Sequence, residues 1–367
     1  MEPMLPPSLD DLGEWPELSY ELGLSDGLPV HPPRRDVVED LVAGSGRRGD
    51  ELVAIIPPRD GHATVEVIAA NAAMAGALPE HMPVIIAAIE AMSAPEHNLR
   101  GLLLTTHPCW PLVIVSGDEV TRLGMATEES VFGGGGSRAN AAIGRAVKLV
   151  LWNTGGARPG EPVKEVFGHP GRLGGYCIAE SSASPWEPFH HARGLDEASG
   201  VTVFACESPI SVAAWGLDDD PHNRLAQAAD SLTLRGSNNM HTMGEVLVVL
   251  TPSEARHLAS RGYGRADVQR ELFELARRSI GSIRPRSPAR PDNSPEHWYT
   301  WWPEWVDQSD DDTLVPVVES PEDIHVLVSG ADSIPWMAVC NGWGNLGGLA
   351  VTRSLPSPVS TTAGDTP

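Results

Sequence analysis

The sequence predicts an α/β protein made of two related α/β units, with an extended N-terminal arm and a disordered C-terminal tail. Three observations carry that expectation. Short apolar runs of strand length alternate with runs whose apolar residues recur at helical spacing. Glycine (37) and proline (33) are frequent enough among 367 residues for many tight turns and short connections. One strand–turn–helix–helix pattern is written twice.

Residues 1–50 read as an arm and a short helix. "GLPVHPP" (Gly27–Pro33) is kept out of helix by its prolines, and Arg34–Ala43 places Val37, Val38, Leu41 and Val42 on one side. The first unit, 51–195, opens on Leu52–Ile56, a short buried strand stopped by Pro57-Pro58. His62–Gly76 reads as a helix capped at Thr64, and Pro79–Met92 as a second, apolar almost all round and so buried. Gly101–Thr105 and Pro111–Val115 read as strands flanking the His107-Pro108-Cys109-Trp110 corner. Ser116–Glu119 opens a short helix. A glycine run then leads into the helix of Phe132–Asn153, with its cap near Ser137. Gly155–Arg193 shows little periodicity, and long irregular segments in compact proteins are often functional.

The second unit, 196–283, holds strands at Val201–Ala205 and Glu245–Leu250 and helices at His222–Leu234, Ser253–Ser260 and Arg265–Ile280. Residues 284–355 are a Pro/Trp-rich segment with a further strand at Ile324–Val328, and 356–367 a Ser/Thr/Pro-rich tail expected to be disordered. The hint of duplication lies in "PLVIVSGDEVTRLG" (Pro111–Gly124), which aligns with "VLVVLTPSEARHLA" (Val246–Ala259). Ser137-Arg138-Ala139-Asn140 then stands opposite Gly264-Arg265-Ala266-Asp267, each opening a helix. Chance similarity between apolar strands is the competing explanation.

The formal net charge of −23 repels phosphate backbones and anionic lipid, so nucleic acid and membrane are poor partners. Cys109, Cys177, Cys206 and Cys340 form no C-x-x-C pair, and four cysteines in so long a chain fit a reducing, cytoplasmic compartment. Met1–Trp15 lacks the pattern of a signal peptide, and no apolar stretch reaches the roughly 18–20 residues of a membrane span.

The reactive side chains concentrate between Thr105 and Arg193. Glycines before a helix let backbone N–H groups approach an anion, so Gly134, Gly135, Ser137, Arg138 and Asn140 are candidate substrate contacts. A flexible turn is the plain alternative. His107 beside Cys109 is a candidate nucleophile pair, with a buried structural thiol as the alternative. "FGHPGRLGGYCIAESSASPWEPFHH" (Phe167–His191) is the densest cluster. In it Cys177 is the expected nucleophile, Glu180 the acid/base and His190 the orienting group, with His169, Arg172 and Trp186 on the substrate. Glu180 is expected to end a strand, where α/β sites usually sit. His190 and His191 should point opposite ways in an extended segment. The cofactor is unknown: a metal on His169, His190 and Glu180 is the alternative, although the spacing matches no standard metal motif. Trp298, Trp301, Trp302 and Trp305 suggest an aromatic plug or subunit contact.

The blocks "SDGLPVHPP", "ATVEVIAANAAMAGALPEHMPVIIAAIEAM", "FGGGGSRANAAIGRAVKLV", "GHPGR" and "YCIAESSASPWEPFH" resemble the UGSC-type (seleno)protein family, over about Ser25 to Arg353. The resemblance implies an enzyme with a thiol- or selenol-linked redox role. It carries over the frame around Asn71, Glu80, Gly133, Arg138, Asn140, Arg145, His169, Cys177, Glu180 and Trp186. The motif that names the family is absent here, so the redox role does not carry over with it.

The expectation is therefore an enzyme acting on a small polar, anionic molecule at a Cys/Glu/His site between the two units. It would be of lyase/hydrolase or thiol-linked oxidoreductase type. A metal-dependent lyase or hydrolase and a non-catalytic small-molecule binder are the alternatives. Packing needs of the arm and the tryptophan segment suggest a homo-oligomer.

Overall fold

The computed structural model describes residues 13–355 except 161, 217–218, 285–301 and 346. The C-terminal tail, most of the Pro-rich linker, and Trp298 and Trp301 lie outside the described residues. Of the other two, Trp302 is buried, its indole N–H donating to the Met240 carbonyl at 2.9 Å, whereas Trp305 is exposed.

The arm is not wholly extended. It begins with α1 (Trp15–Glu21), because Trp15 has a core to bury in, against Val30, Met74 and Leu149. The extended part follows and is pinned by Asp26, which pairs with Lys148 at 2.5 Å and Arg145 at 3.0 Å. After α2 (Arg35–Gly44), β1 (Leu52–Ile56) and β2 (Gly61–Thr64) form an antiparallel hairpin. β1 buries only one face, with Leu52 and Ile55 about half exposed. Thr64 caps α3 (Val65–Met74) as its spacing predicts, accepting from Val67 N at 3.3 Å. α4 (Met82–Met92) is buried on nearly every side.

Gly101–Thr105 is not a strand. It lies in α5 (Leu99–Leu104), capped by Asn98 Oδ1 on Gly101 N, with Leu99, Leu102 and Leu103 buried at helical spacing. A run this short fits either period, and the Asn cap decided it. The chain continues through β3 (Trp110–Gly117), α6 (Asp118–Arg122), α7 (Arg138–Asn153), α8 (Gly171–Gly174), β4 (Cys177–Ala179), α9 (Phe189–Ala192) and β5 (Ser199–Cys206). It then forms β6 (Ile210–Ala213), α10 (Pro221–Leu232), α11 (Asn239–Thr242), β7 (Val246–Leu250), α12 (Pro252–Ser260) and α13 (Arg265–Leu275). The last of these stops five residues earlier than expected, giving way to β8 (Arg277–Ser279) and α14 (Ile280–Ile283). β9 (Leu314–Pro316), β10 (Ile324–Val328), β11 (Trp336–Asn341) and β12 (Val351–Ser354) complete the α/β fold.

Two four-stranded sheets share one plan. The first runs β12-β5-β3-β4 and the second β6-β11-β7-β10. In each, a parallel pair (β3/β4 or β7/β10) is extended by two antiparallel strands. Val113 stands between Cys177 and Val203, as Val248 stands between Val326 and Val339. The aligned repeats thus fall on matching places, β3–α6 and β7–α12. That likeness is topological.

The fourth strands are exchanged. β6 follows β5 in the chain but joins the second sheet, while β12 follows β11 and joins the first. The expected boundary at residue 196 therefore fails: β5 belongs with β3, and the first sheet needs β12, the last strand among the described residues. The C-terminal ends of β4 and β10 touch, with Ser181 N donating to Val328 O at 2.8 Å and Ser329 Oγ to Ala179 O at 2.7 Å.

Candidate functional site

Glu180 follows β4 directly, its backbone N–H held by Val115 O at 2.8 Å. Its side chain is buried at the C-terminal end of the parallel pair, as expected for an α/β site. One carboxylate oxygen, Oε2, accepts from Phe189 N at 2.7 Å, and Oε1 lies 3.2 Å from Arg265 Nη2. Arg265 comes from the first turn of α13 in the other sheet's layer, and its Nε donates to Val326 O at 3.1 Å. Its Nη1 has no hydrogen-bond partner among the described residues, and Glu187 Oε1 stands 3.9 Å away. Burial pushes the Glu180 carboxyl up to about 7, against the opposing pull of the Phe189 N–H, Arg265 and His191. Burial also lowers Arg265. Residues 181–188 lead from Glu180 to α9 as a strap. Trp186 fastens it, donating Nε1–H to Tyr263 O at 3.0 Å with its ring beside the Arg265 guanidinium.

The other expected catalytic groups are elsewhere. Cys177 is on β4 under α7, which approaches so closely that a Cβ at Gly144 would stand 2.7 Å from Tyr176 N. Burial pushes the Cys177 thiol well above its usual range, so it is no thiolate at neutral pH. His190 is fully buried, with Nδ1 2.8 Å from Ser116 Oγ and Nε2 2.8 Å from Glu197 O. Burial lowers its pKa, as suits a neutral ring between two fixed partners. His190 and His191 do not point opposite ways: they lie on the helical turn α9, and both reach Glu197 O.

The glycine loop is built as a turn. Gly134, Gly135 and Gly136 all have left-handed φ (82°, 55° and 76°). Ser137 precedes α7 but makes no side-chain cap, because its hydroxyl donates to Gly124 O. Asn140 clasps both backbone groups of Ala126, at 2.9 and 3.2 Å, and Arg138 Nε donates to Gly76 O. These side chains close the 124–140 segment on itself. Asn71 likewise joins α3 to α7, bonding Val67 O and Asn153.

A second polar group gathers at the start of β3. His107 Nε2 is 2.5 Å from Glu207 Oε1. Arg172 is ion-paired with Glu165 and lies 4.3 Å over the Trp110 ring. His169 takes Gly171 N on Nδ1 at 2.8 Å, and burial pushes it down to about 4. Cys109 is buried nearby, its thiol raised well above the usual range. His169, His190 and Glu180 thus lie in three different surroundings. Among the described residues no group of three or more His, Cys, Asp or Glu is disposed to hold a metal.

The single expected centre therefore divides. Cys177 and His190 are packed into the core, Glu180 and Trp186 join Arg265, and His107, Cys109, His169 and Arg172 join Glu165 and Glu207. Arg265 was missed because the second unit was expected to lack reactive groups. Its alignment with Arg138 was the signal that marked it. The surface depression at the α12–α13 corner, lined by Arg261, Tyr263 and Arg270 among others, takes in none of the expected residues. Compared with protein-family models and with curated proteins, the chain matches none.

Proposed function

We propose that the protein is an enzyme acting on a small anionic molecule, with Glu180 taking and returning a proton and Arg265 holding the substrate's charge. The observation that carries this reading is a carboxyl pushed up to about 7 at 3.2 Å from a guanidinium. General acid–base catalysis works best with a group whose pKa lies near the working pH, and burial is the usual way to bring a carboxyl there. The unmatched Arg265 Nη1 supplies a donor for a substrate carboxylate or phosphate oxygen. The reaction class is proton transfer of the lyase or hydrolase kind.

A thiol-linked reaction draws no support from Cys177 or Cys109, since burial raises both thiols. The resemblance to UGSC-type (seleno)proteins belongs to the same reading, because Glu180, Trp186 and Glu187 fall within the "YCIAESSASPWEPFH" block. So does a reducing, cytoplasmic setting, supported by four free cysteines. The test is a turnover screen over small carboxylates and phosphate esters, with Glu180→Gln beside the wild type and a carbon-13 NMR titration of Glu180. Turnover lost in E180Q and a midpoint near 7 are expected. A midpoint near 4.5, or undiminished turnover in E180Q, rejects the role of Glu180. Saturable binding without turnover makes the protein a binder instead.

A further inference from the structure

The group at the start of β3 stands apart from Glu180, and its hydrogen-bond inventory is lopsided. The Glu165 side chain is 4% exposed, yet only Oε2 meets a cation, Arg172, and Oε1 has no hydrogen-bond partner. Glu207 Oε1 lies 2.5 Å from His107 Nε2. Among the described residues no protein donor reaches Glu165 Oε1, while His169 Nε2, the N–H of a ring whose Nδ1 accepts from Gly171 N, also has no partner. Glu165 and Glu207 bring two carboxylates to one guanidinium and one imidazole.

We infer that this cluster is a binding site for a small organic cation, an amine or amidine bearing an apolar group. Such a ligand supplies the donor that Glu165 Oε1 lacks, together with a positive charge beside two carboxylates. Burial raises the Glu165 carboxyl in spite of Arg172, as befits a carboxylate short of donors. His107 and Glu207 are 16% and 28% exposed, so solvent reaches the cluster. Beside Glu165, Val166 and Phe167 are 64% and 89% exposed, apolar surface for the ligand's carbon skeleton.

At the start of β7 in the second sheet a partly buried carboxylate is better supplied. There Glu245 Oε2 takes Ala350 N at 2.6 Å and lies 2.9 Å from His325 Nε2, while Arg193 Nη1 lies 3.1 Å from His325 Nδ1. Among the described residues Glu165 Oε1 meets no such donor.

Isothermal titration of the full chain with benzylammonium and benzamidinium tests the inference, with benzoate and benzyl alcohol as controls. Both cations are expected to bind with Kd on the order of 1 mM or tighter, as eight or nine heavy atoms permit. Benzoate and benzyl alcohol, of the same size but without the positive charge, are expected to bind at least about tenfold more weakly. Glu165→Gln and Glu207→Gln should each weaken cation binding about tenfold or more. If E165Q fails to fold, E207Q and His107→Asn carry the comparison, since both sites are partly exposed. Absent cation binding, equal binding of benzoate, or unchanged affinity in the variants overturns the site. E180Q should leave the cation affinity unchanged, so this site and the Glu180 reading stand or fall separately.

Discussion

The C-terminal ends of β4 and β10 hold the same place in two sheets of one plan, and they carry opposite chemistry. After β4 comes Glu180, bonded to Val115 O; after β10 comes Ser329, bonded to Leu250 O. Both side chains are buried. Ser329 gives its one proton to Ala179 O and needs nothing more. Glu180 draws on a backbone N–H and an arginine from across the molecule, and is still pushed up to about 7. Two positions with the same backbone environment therefore differ by a buried ionisable pair. A fold that needs only closure at this position manages it with a hydroxyl, so the carboxylate is the marked feature.

Removing each group alone separates the two most. Glu180→Ala leaves the Arg265 guanidinium buried without its partner, which costs about 3–5 kcal/mol. Urea denaturation near neutral pH should show a loss in that range. A loss below about 1 kcal/mol, the size of one ordinary hydrogen bond, would mean that the pair adds nothing over the Ser329 solution.

The next difference is in pH dependence. Between about pH 4.5 and 7 the folded chain keeps a proton on Glu180 that the unfolded chain has released, so this group's contribution falls as pH rises. The loss is about 3 kcal/mol over the window. His169 acts in the opposite sense. Its folded value of about 4 lies below the ordinary 6.5, so its contribution rises with pH between those limits. Stability curves of wild type, E180Q and His169→Gln should diverge accordingly. E180Q is expected to gain stability with pH more steeply than wild type, and H169Q to lose it. Parallel curves for wild type and E180Q would place the Glu180 carboxyl at its ordinary value.

The strap gives a smaller effect. Trp186→Phe keeps the ring but removes the bond to Tyr263 O, a loss of about 1 kcal/mol. Hydrogen exchange at 181–188 should quicken while the sheets hold their protection. Unchanged exchange would show that Trp186 does not fasten the strap.

Much of the fold was legible because local signals agreed. The Thr64 cap, the apolar run of α4 and the strand Ile324–Val328 all sit where the sequence puts them. α5 was misread because six residues fit two periods. The exchanged strands were out of reach, since β6 and β12 are four residues each and choose their sheets by long-range pairing. For the candidate site, strand-end logic put Glu180 just after a strand, where it lies. Residue type misled at Cys177 and His190, where reactive names belong to core side chains. Arg265 pairs with Glu180 across 85 residues, a separation no local pattern encodes.

The smallest expected effect is the sharpest control on the opening comparison. Ser329→Ala removes the hydroxyl that donates to Ala179 O, a buried carbonyl at the edge of the first sheet. No charge is stranded and the methyl fits the space, so the cost is one net hydrogen bond, about 1 kcal/mol. Ser329 does not titrate, so the stability difference between S329A and wild type should be the same at every pH from 4.5 to 7. Denaturation at both ends of that window checks it. A pH-dependent difference would mean that Ser329 and Glu180 sense each other through the contact of β4 with β10, and the two strand ends would then form one site.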